Sequence, residues 1–486
     1  MQNNHLREAT PYLINEKLKS INMKKHQIIL ACSLIFTLLF YNQSVGVNLA
    51  IFVLILTGFI CYFFQDQFTD RSHLMLVVTS VLSCFAFAWY GDFASFLALT
   101  MSVLFLQFKI QDSKLKIIQV FPLVFLNGIT SIGRIFMFDQ WLPKKKIGND
   151  LTKKVVAYFV IPAVFLLLFF VVYSFGSNHF SSLFADYTLD IDILPLILIT
   201  ILGFYISFSF WNYWVPEVCY DKNELLDNDF KNIEEVKNQN TFSFLDLDFE
   251  RKSGEITLLL LNMMLLVFIV TYNYEQFFEV IEVQASKLSA ATHERVNSVI
   301  FSTLMAVGVI LFYFKGGFNF DKKAGNLKKL AKIWILLNGI LIVSTIIKNS
   351  EYVSFFGLTY KRLGVYAFLI LAIIGLVYAF FKITKQKTNA YLFNQMVWYF
   401  YGTILLCSFI NWGNLITTYN VSVNKGVEPR FLSSLNFNDE RRDAYFSTIK
   451  IVGEGYGYLQ QNNIDHQQDK SFLSKALYYD FVDTKK

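Results

Sequence analysis

Residues 193–214 read ILPLILITILGFYISFSFWNYW, and no Asp, Glu, Lys or Arg interrupts them. A run of about 18 or more such residues is long enough to cross the hydrocarbon core of a bilayer. The same pattern recurs in Val155–Phe175 and Val365–Phe381. In hydrocarbon, every backbone N–H and C=O must be satisfied within the chain, so apolar runs of this length are helices. The reading is an all-α, polytopic transmembrane helix bundle.

Composition agrees. Of 486 residues, 54% are hydrophobic and 16% are charged, where soluble domains carry about a quarter charged. The net charge of +6 comes from lysines flanking apolar runs, so it is not read as a nucleic-acid signal. The five cysteines include no C-x-x-C pair, so free thiols are expected, with no disulfide and no cysteine metal site. Met23-Lys24-Lys25-His26 before an apolar run imitates a signal peptide, and Met23 is an alternative start. Only Gln27–Ile29 would precede the Leu30-Ala31-Cys32 box, well below the apolar length such a signal needs. An uncleaved first span is expected.

The count of Lys and Arg in short loops sets orientation. Arg7, Lys17, Lys19, Lys24 and Lys25 make residues 1–26 a cytoplasmic arm. Spans follow near 27–41, 46–64, 73–90 and 93–108, and the three lysines of Lys109–Lys116 then fall inside. If Ile117–Met137 crossed, Lys144, Lys145, Lys146, Lys153 and Lys154 would lie outside. That stretch also contains Asn127-Gly128, Ser131 and Arg134. A re-entrant or interfacial hairpin near 117–137 is expected instead. Spans near 155–175, 193–214, 256–272, 297–314, 331–347, 363–381 and 392–411 complete about eleven. The C-terminal tail, 412–486, is then extracytoplasmic, with Phe472, Leu473, Ala476 and Leu477 as a helical stripe after an Asp469 cap. The transmembrane domain is 27–411.

Three blocks stand out: Thr292-His293-Glu294-Arg295-Val296-Asn297, Phe314–Phe320 (FKGGFNF) and Gly357–Tyr366 (GLTYKRLGVY). With Trp334, Asn338, Asn411-Trp412 and Tyr419-Asn420, they make the region from Leu288 to Leu435 resemble a polytopic bacterial membrane family catalogued as a domain of unknown function, the 4153/4173 type, in its Bacteroidetes-like branch. The resemblance implies a bacterial inner-membrane protein, with the N-terminus cytoplasmic and the C-terminus periplasmic. It implies no activity.

Enzyme signatures are poor. Gly453, Gly455 and Gly457 lack the strand–turn–helix setting of a phosphate loop. The spans carry essentially no ionisable residue apart from Lys332 at a cytoplasmic edge, and only Arg134, in the hairpin, lies at depth, so a proton-coupled pump with a buried carboxylate is disfavoured. No cofactor and no metal site is expected. The Phe314–Phe320 block reads as a helix C-cap and tight turn, with partner docking as the sharper alternative.

The best constellation gathers at the outer face: His293 and Asn297 at one span, Tyr360, Lys361 and Arg362 at a second, Asn411 and Trp412 at a third. Arg and Lys there can clamp a phosphate or carboxylate. The competing reading, given the greater weight, makes Lys361 and Arg362 headgroup anchors and Trp412 part of an interfacial belt. The leading expectation is a non-enzymatic protein that binds an anionic lipid or envelope metabolite, or an accessory subunit of an envelope assembly. A transporter of a small or lipidic substrate comes second and a membrane-embedded transferase third. Expected partners are membrane lipids, an anionic ligand, and a protein reached through the tail or the cytoplasmic loops, with no nucleic acid.

Overall fold

A computed structural model describes residues 25–142, 192–231, 233–237, 246–277, 285–449 and 464–482, with a few positions between 158 and 176. Side chains of 276–277 and 285–296 are outside the description. So are the expected 155–175 span as a whole, the lysines of 144–154, residues 177–191 and the 453–457 glycines. Among the described residues there is no strand. Among the described residues, seven helices are long and apolar enough to cross a membrane. The chain divides into two compact units.

The first unit comprises residues up to Lys114, Gln119–Glu217 and His466–Asp480. Its helices are α1 (Lys25–Phe40), α2 (Val47–Phe63), α3 (Arg71–Tyr90), α4 (Phe93–Gln111), α5 (Val120–Arg134) and α6 (Ile193–Trp211). Short polar residues set the starts. The Asp70 carboxylate accepts from Ser72 N and opens α3, and Asp92 accepts from Ser95 N and opens α4. An N-cap of this kind satisfies one of the four orphan N–H groups of a helix start. Helix α6 packs along α1, where Trp211 Nε1 donates to Cys32 Sγ at 3.2 Å and the Thr37 and Thr200 hydroxyls meet at 3.3 Å. All five cysteines are free thiols.

Helix α5, with the 3-10 turn before it, is also long and apolar enough to cross, and its contacts run along the second half of α6 and the turn after it. Tyr205 OH donates to Gly128 O at 2.6 Å. Asn127 exchanges bonds with the Trp214 backbone at 2.8 and 2.9 Å, and Arg134 donates to Asn212 O at 2.6 Å. Trp141 then packs on Phe204 and Phe208, at 5.7 and 5.9 Å between centroids.

The tail differs from its expected stripe. Phe472–Ser474 and Leu477–Phe481 are 3-10 turns. Ser474 is drawn to the turn before α2, where its hydroxyl accepts from Ser44 N and donates to Gln43 Oε1, at 3.0 and 2.7 Å, and Val47 N donates to Lys475 O. These long-range bonds take up polar groups that a helix would otherwise satisfy.

The second unit comprises Leu115–Ile118, Val218–Asp465 and Phe481–Lys486. Its helices are α7 (Leu247–Phe277), α8 (Ala285–Tyr313), α9 (Gly325–Phe356), α10 (Tyr360–Thr384), α11 (Asn389–Cys407), α12 (Trp412–Val423), α13 (Pro429–Ser433) and α14 (Asp439–Thr448). Its core joins Leu258 and Leu265 of α7, Val299, Ala306 and Ile310 of α8, Leu341 and Ile342 of α9, and Leu369 and Leu376 of α10. Trp334 Nε1 ties α9 to Ala306 O at 3.2 Å.

Several helices exceed their expected spans. Helix α7 begins at Leu247 rather than 256, where Arg251 bridges Asp248 and Asp321. Helix α9 runs through the expected loop of 349–362 to Phe356, with Lys348 paired to Glu351 one turn on at 3.1 Å. Charged pairs at this spacing support helix beyond the apolar core.

Candidate functional site

The site at the start of α10 is built by a tight reversal. The chain turns through Gly357–Thr359, and the Thr359 hydroxyl caps α10 by accepting from Arg362 N. Gly357 has φ of +80°, a left-handed conformation, and a Cβ there would sit 2.6 Å from Lys425 O. Glycine meets both demands. Asn420 of α12 is fully buried and reads both sides of the next residue. It accepts from Leu358 N at 2.6 Å and donates to Leu358 O at 3.1 Å and to Gly426 O at 3.1 Å.

Tyr360, Arg362, Asn411 and Trp412 come together here. The Arg362 guanidinium donates to Gly357 O and lies 4.2 Å from the Tyr352 ring centroid. Its carbonyl accepts from Asn349 Nδ2 at 3.2 Å. The Tyr360 hydroxyl accepts from Asn436 N at 3.1 Å. Asn411 caps α12 through Asn414 N at 3.0 Å and donates to Phe437 O at 2.9 Å. Trp412 Nε1 donates to Cys407 O at 2.9 Å. Gly413 admits the backbone of Asn436, whose oxygen would lie 1.7 Å from a Cβ at that position. Phe437 holds left-handed backbone, φ +59°, which a bulky residue rarely adopts. Val353, Leu358, Ile416, Leu432 and Leu435 form the apolar floor. Beneath α14, the buried Arg442 pairs with Asp439 at 3.0 Å and Asp443 at 2.9 Å.

Lys361 stands apart within this knot. It is exposed, and no hydrogen bond or ion pair engages it among the described residues. Its charge sits in the first turn of α10, where the helix dipole favours an anion close by.

The remaining two expected residues lie elsewhere. Asn297 is exposed on α8 and, with Ser298, Phe301, Ser302 and Trp334, lines a half-open cleft of about 750 Å³. The His293 side chain falls outside the described residues, as do those of Glu294 and Arg295.

A second polar junction, at the opposite end of α10, was not foreseen. Phe314 O, at the end of α8, accepts from Lys382 Nζ at 2.5 Å and from Asn319 Nδ2 at 2.8 Å. Asn319 O accepts from Lys328 Nζ at 2.7 Å and Gln386 Nε2 at 2.8 Å. The Phe314–Phe320 block is therefore a helix stop held by cations, as a helix C-terminus favours. Lys382 is fully buried. Charge counting ended the span one residue before it. The signal for its burial was its place on the same face as Gly375 and Ala379, both of them buried.

With this geometry in hand, comparison with known families is decisive on one point. Residues 28–441 match a domain of unknown function (DUF4153). The chain belongs to that family. The match takes in the GLTYKRLGVY reversal, the FKGGFNF stop and most of both units. No curated protein and no solved structure matches the chain.

Proposed function

We propose that this DUF4153 protein is a non-enzymatic, multi-pass protein of the bacterial inner membrane that holds an anionic lipid headgroup or envelope metabolite on its outer face. The topology behind this reading has about eleven spans, a cytoplasmic N-terminus and a periplasmic C-terminus. Residues 117–137 form a hairpin that returns to the side it left. The gathering of Asn127, Arg134 and Trp141 on the second half of α6 and the turn after it supports that hairpin. The lysine distribution supports the orientation, with Lys361 and Arg362 on the outer face as its one exception.

The observation that carries the functional reading is Lys361. Around it, Arg362, Asn411 and Trp412 are engaged by their own chain and make a rigid frame. The frame presents an exposed ammonium group on a helix N-terminus, beside the 41% exposed Tyr360. A pre-formed frame lowers the ordering cost of binding. The site residues of this proposal are Lys361 and Tyr360, with Asn411 and Asn414 at its edge. Arg362 serves the frame.

The test is native mass spectrometry of protein extracted gently from its own membranes, alongside Lys361→Ala. The proposal expects a small adduct on the wild type and its loss from the variant. An adduct that persists unchanged in Lys361→Ala, or a bare wild-type chain, overturns it. A stoichiometric protein partner would favour the accessory-subunit reading. One observation favours a transporter as the second reading: the cleft of about 750 Å³ carries Asn297, Ser298 and Ser302 within an otherwise apolar wall.

A further inference from the structure

Two basic side chains are buried in the first unit. Lys25 is 6% exposed and Arg134 is 9% exposed, and they lie within electrostatic reach of each other. Neither pairs with an acid among the described residues. The hydrogen bonds of Arg134 go to neutral acceptors: Gln140 Oε1 at 3.3 Å, Asn127 Oδ1 at 3.2 Å and Asn212 O at 2.6 Å. A guanidinium has five N–H donors, so it keeps donors to spare. Lys25 makes no hydrogen bond among the described residues.

Two more polar groups are buried beside Arg134 without a partner. Ser131 Oγ lies one turn earlier on the same face of α5, and Asn212 Nδ2 belongs to the residue whose carbonyl holds Arg134. The Trp214 ring lies 5.8 Å from the guanidinium. A desolvated guanidinium without a counter-ion is a costly arrangement. A guanidinium, a lysine side chain, a hydroxyl and an amide N–H₂ form a set able to donate from several directions. An oxyanion with acceptors on every side satisfies such a set better than a planar carboxylate.

We propose that Lys25, Ser131, Arg134 and Asn212 form a second anion site, which takes a phosphate group. Its source is either free phosphate or the headgroup of an anionic phospholipid. The site lies where α5 crosses the end of α6, apart from Lys361. Exposed Phe136, Met137 and Phe138 follow Arg134 in the chain and offer apolar surface to an acyl chain.

The test uses the full chain, purified and delipidated in a neutral detergent, with the melting midpoint followed under titration. The ligands are inorganic phosphate and short-chain phosphatidylglycerol, with an uncharged alkyl glucoside as control. The wild type is expected to be stabilised by at least one phosphate-bearing ligand and not by the glucoside. Lys25→Met, which breaks no hydrogen bond, should melt no lower than the wild type without ligand and should need at least tenfold more ligand. A response to inorganic phosphate identifies the free ion as sufficient. A response to phosphatidylglycerol alone identifies the headgroup. Ser131→Ala, expected to weaken half-saturation several-fold, provides the comparison should Lys25→Met fail to fold. Equal responses from wild type and the folded variant overturn the proposal, as does a wild type that neither phosphate-bearing ligand stabilises.

Discussion

The ammonium group of Lys382 lies 2.5 Å from the carbonyl oxygen of Phe314, 68 positions earlier in the chain. This one bond ties the end of α10 to the end of α8. It also gives a physical reason for the FKGGFNF stretch. Gly316 and Gly317 let the chain leave the helix, Asn319 folds back on Phe314 O, and Lys382 satisfies a carbonyl that would otherwise be orphaned.

Removing that side chain should be costly. Lys382→Ala leaves a cavity and an unsatisfied carbonyl, which together cost about 3 kcal/mol. Lys385→Ala, one turn on and exposed, should stay within about 0.5 kcal/mol of wild type. Thermal unfolding in a fixed detergent compares the two, and equal shifts would refute the assignment.

Arg362 and its neighbour should behave as opposites. Arg362→Lys keeps the charge but loses the planar contact with Tyr352 and the bond to Gly357 O. It should destabilise by about 1–2 kcal/mol. Lys361→Ala should leave the melting midpoint unchanged, so that any effect on an adduct reflects binding.

Gly413→Ala should unlatch the segment that follows α12. A Cβ there would overlap Asn436 O, and a rigid backbone can yield only by moving. Limited proteolysis should cut residues 425–448 faster in the variant. Gly308→Ala, where a Cβ meets nothing within 4 Å, should be cut like wild type.

Acid should weaken the 223–231 loop. Asp227 is held below the usual carboxylate range by hydrogen bonds from Lys116 and then from Lys231. A carboxyl lowered in the folded state contributes stability above its unfolded pKa of about 4, and that contribution fades as pH falls through the folded value. Wild-type stability should therefore drop below about pH 4 more steeply than that of Asp227→Asn. Parallel profiles would count against the pairing.

Much of the fold was legible because a long apolar run without charge has one backbone solution in hydrocarbon. Turn chemistry was legible too: FKGGFNF reads as a helix stop and is one. Composition, however, says where charge begins and not which way it faces. Lys382 ended an apolar run on paper and is buried in the fold. Helix lengths were underestimated for the same reason, since the Arg251 and Lys348 pairs carry helix past the point where hydropathy fails. Of the site, Tyr360, Lys361, Arg362, Asn411 and Trp412 were legible as polar and aromatic groups at neighbouring helix ends. Their division of labour was not. Only long-range bonds, such as Asn420 to Leu358 and Tyr360 to Asn436, separate the frame from the exposed cation.

The central claim is that the face bearing Lys361 looks out of the cytoplasm while the Phe314 junction looks in. Single cysteines placed at Lys361 and at Lys322, in a chain freed of its native thiols, test it with a membrane-impermeant maleimide on intact spheroplasts. The account predicts that Lys361→Cys reacts before lysis and Lys322→Cys only after it. Labelling of both from the same side, or in the reverse order, would contradict the topology and remove the outer-face site with it.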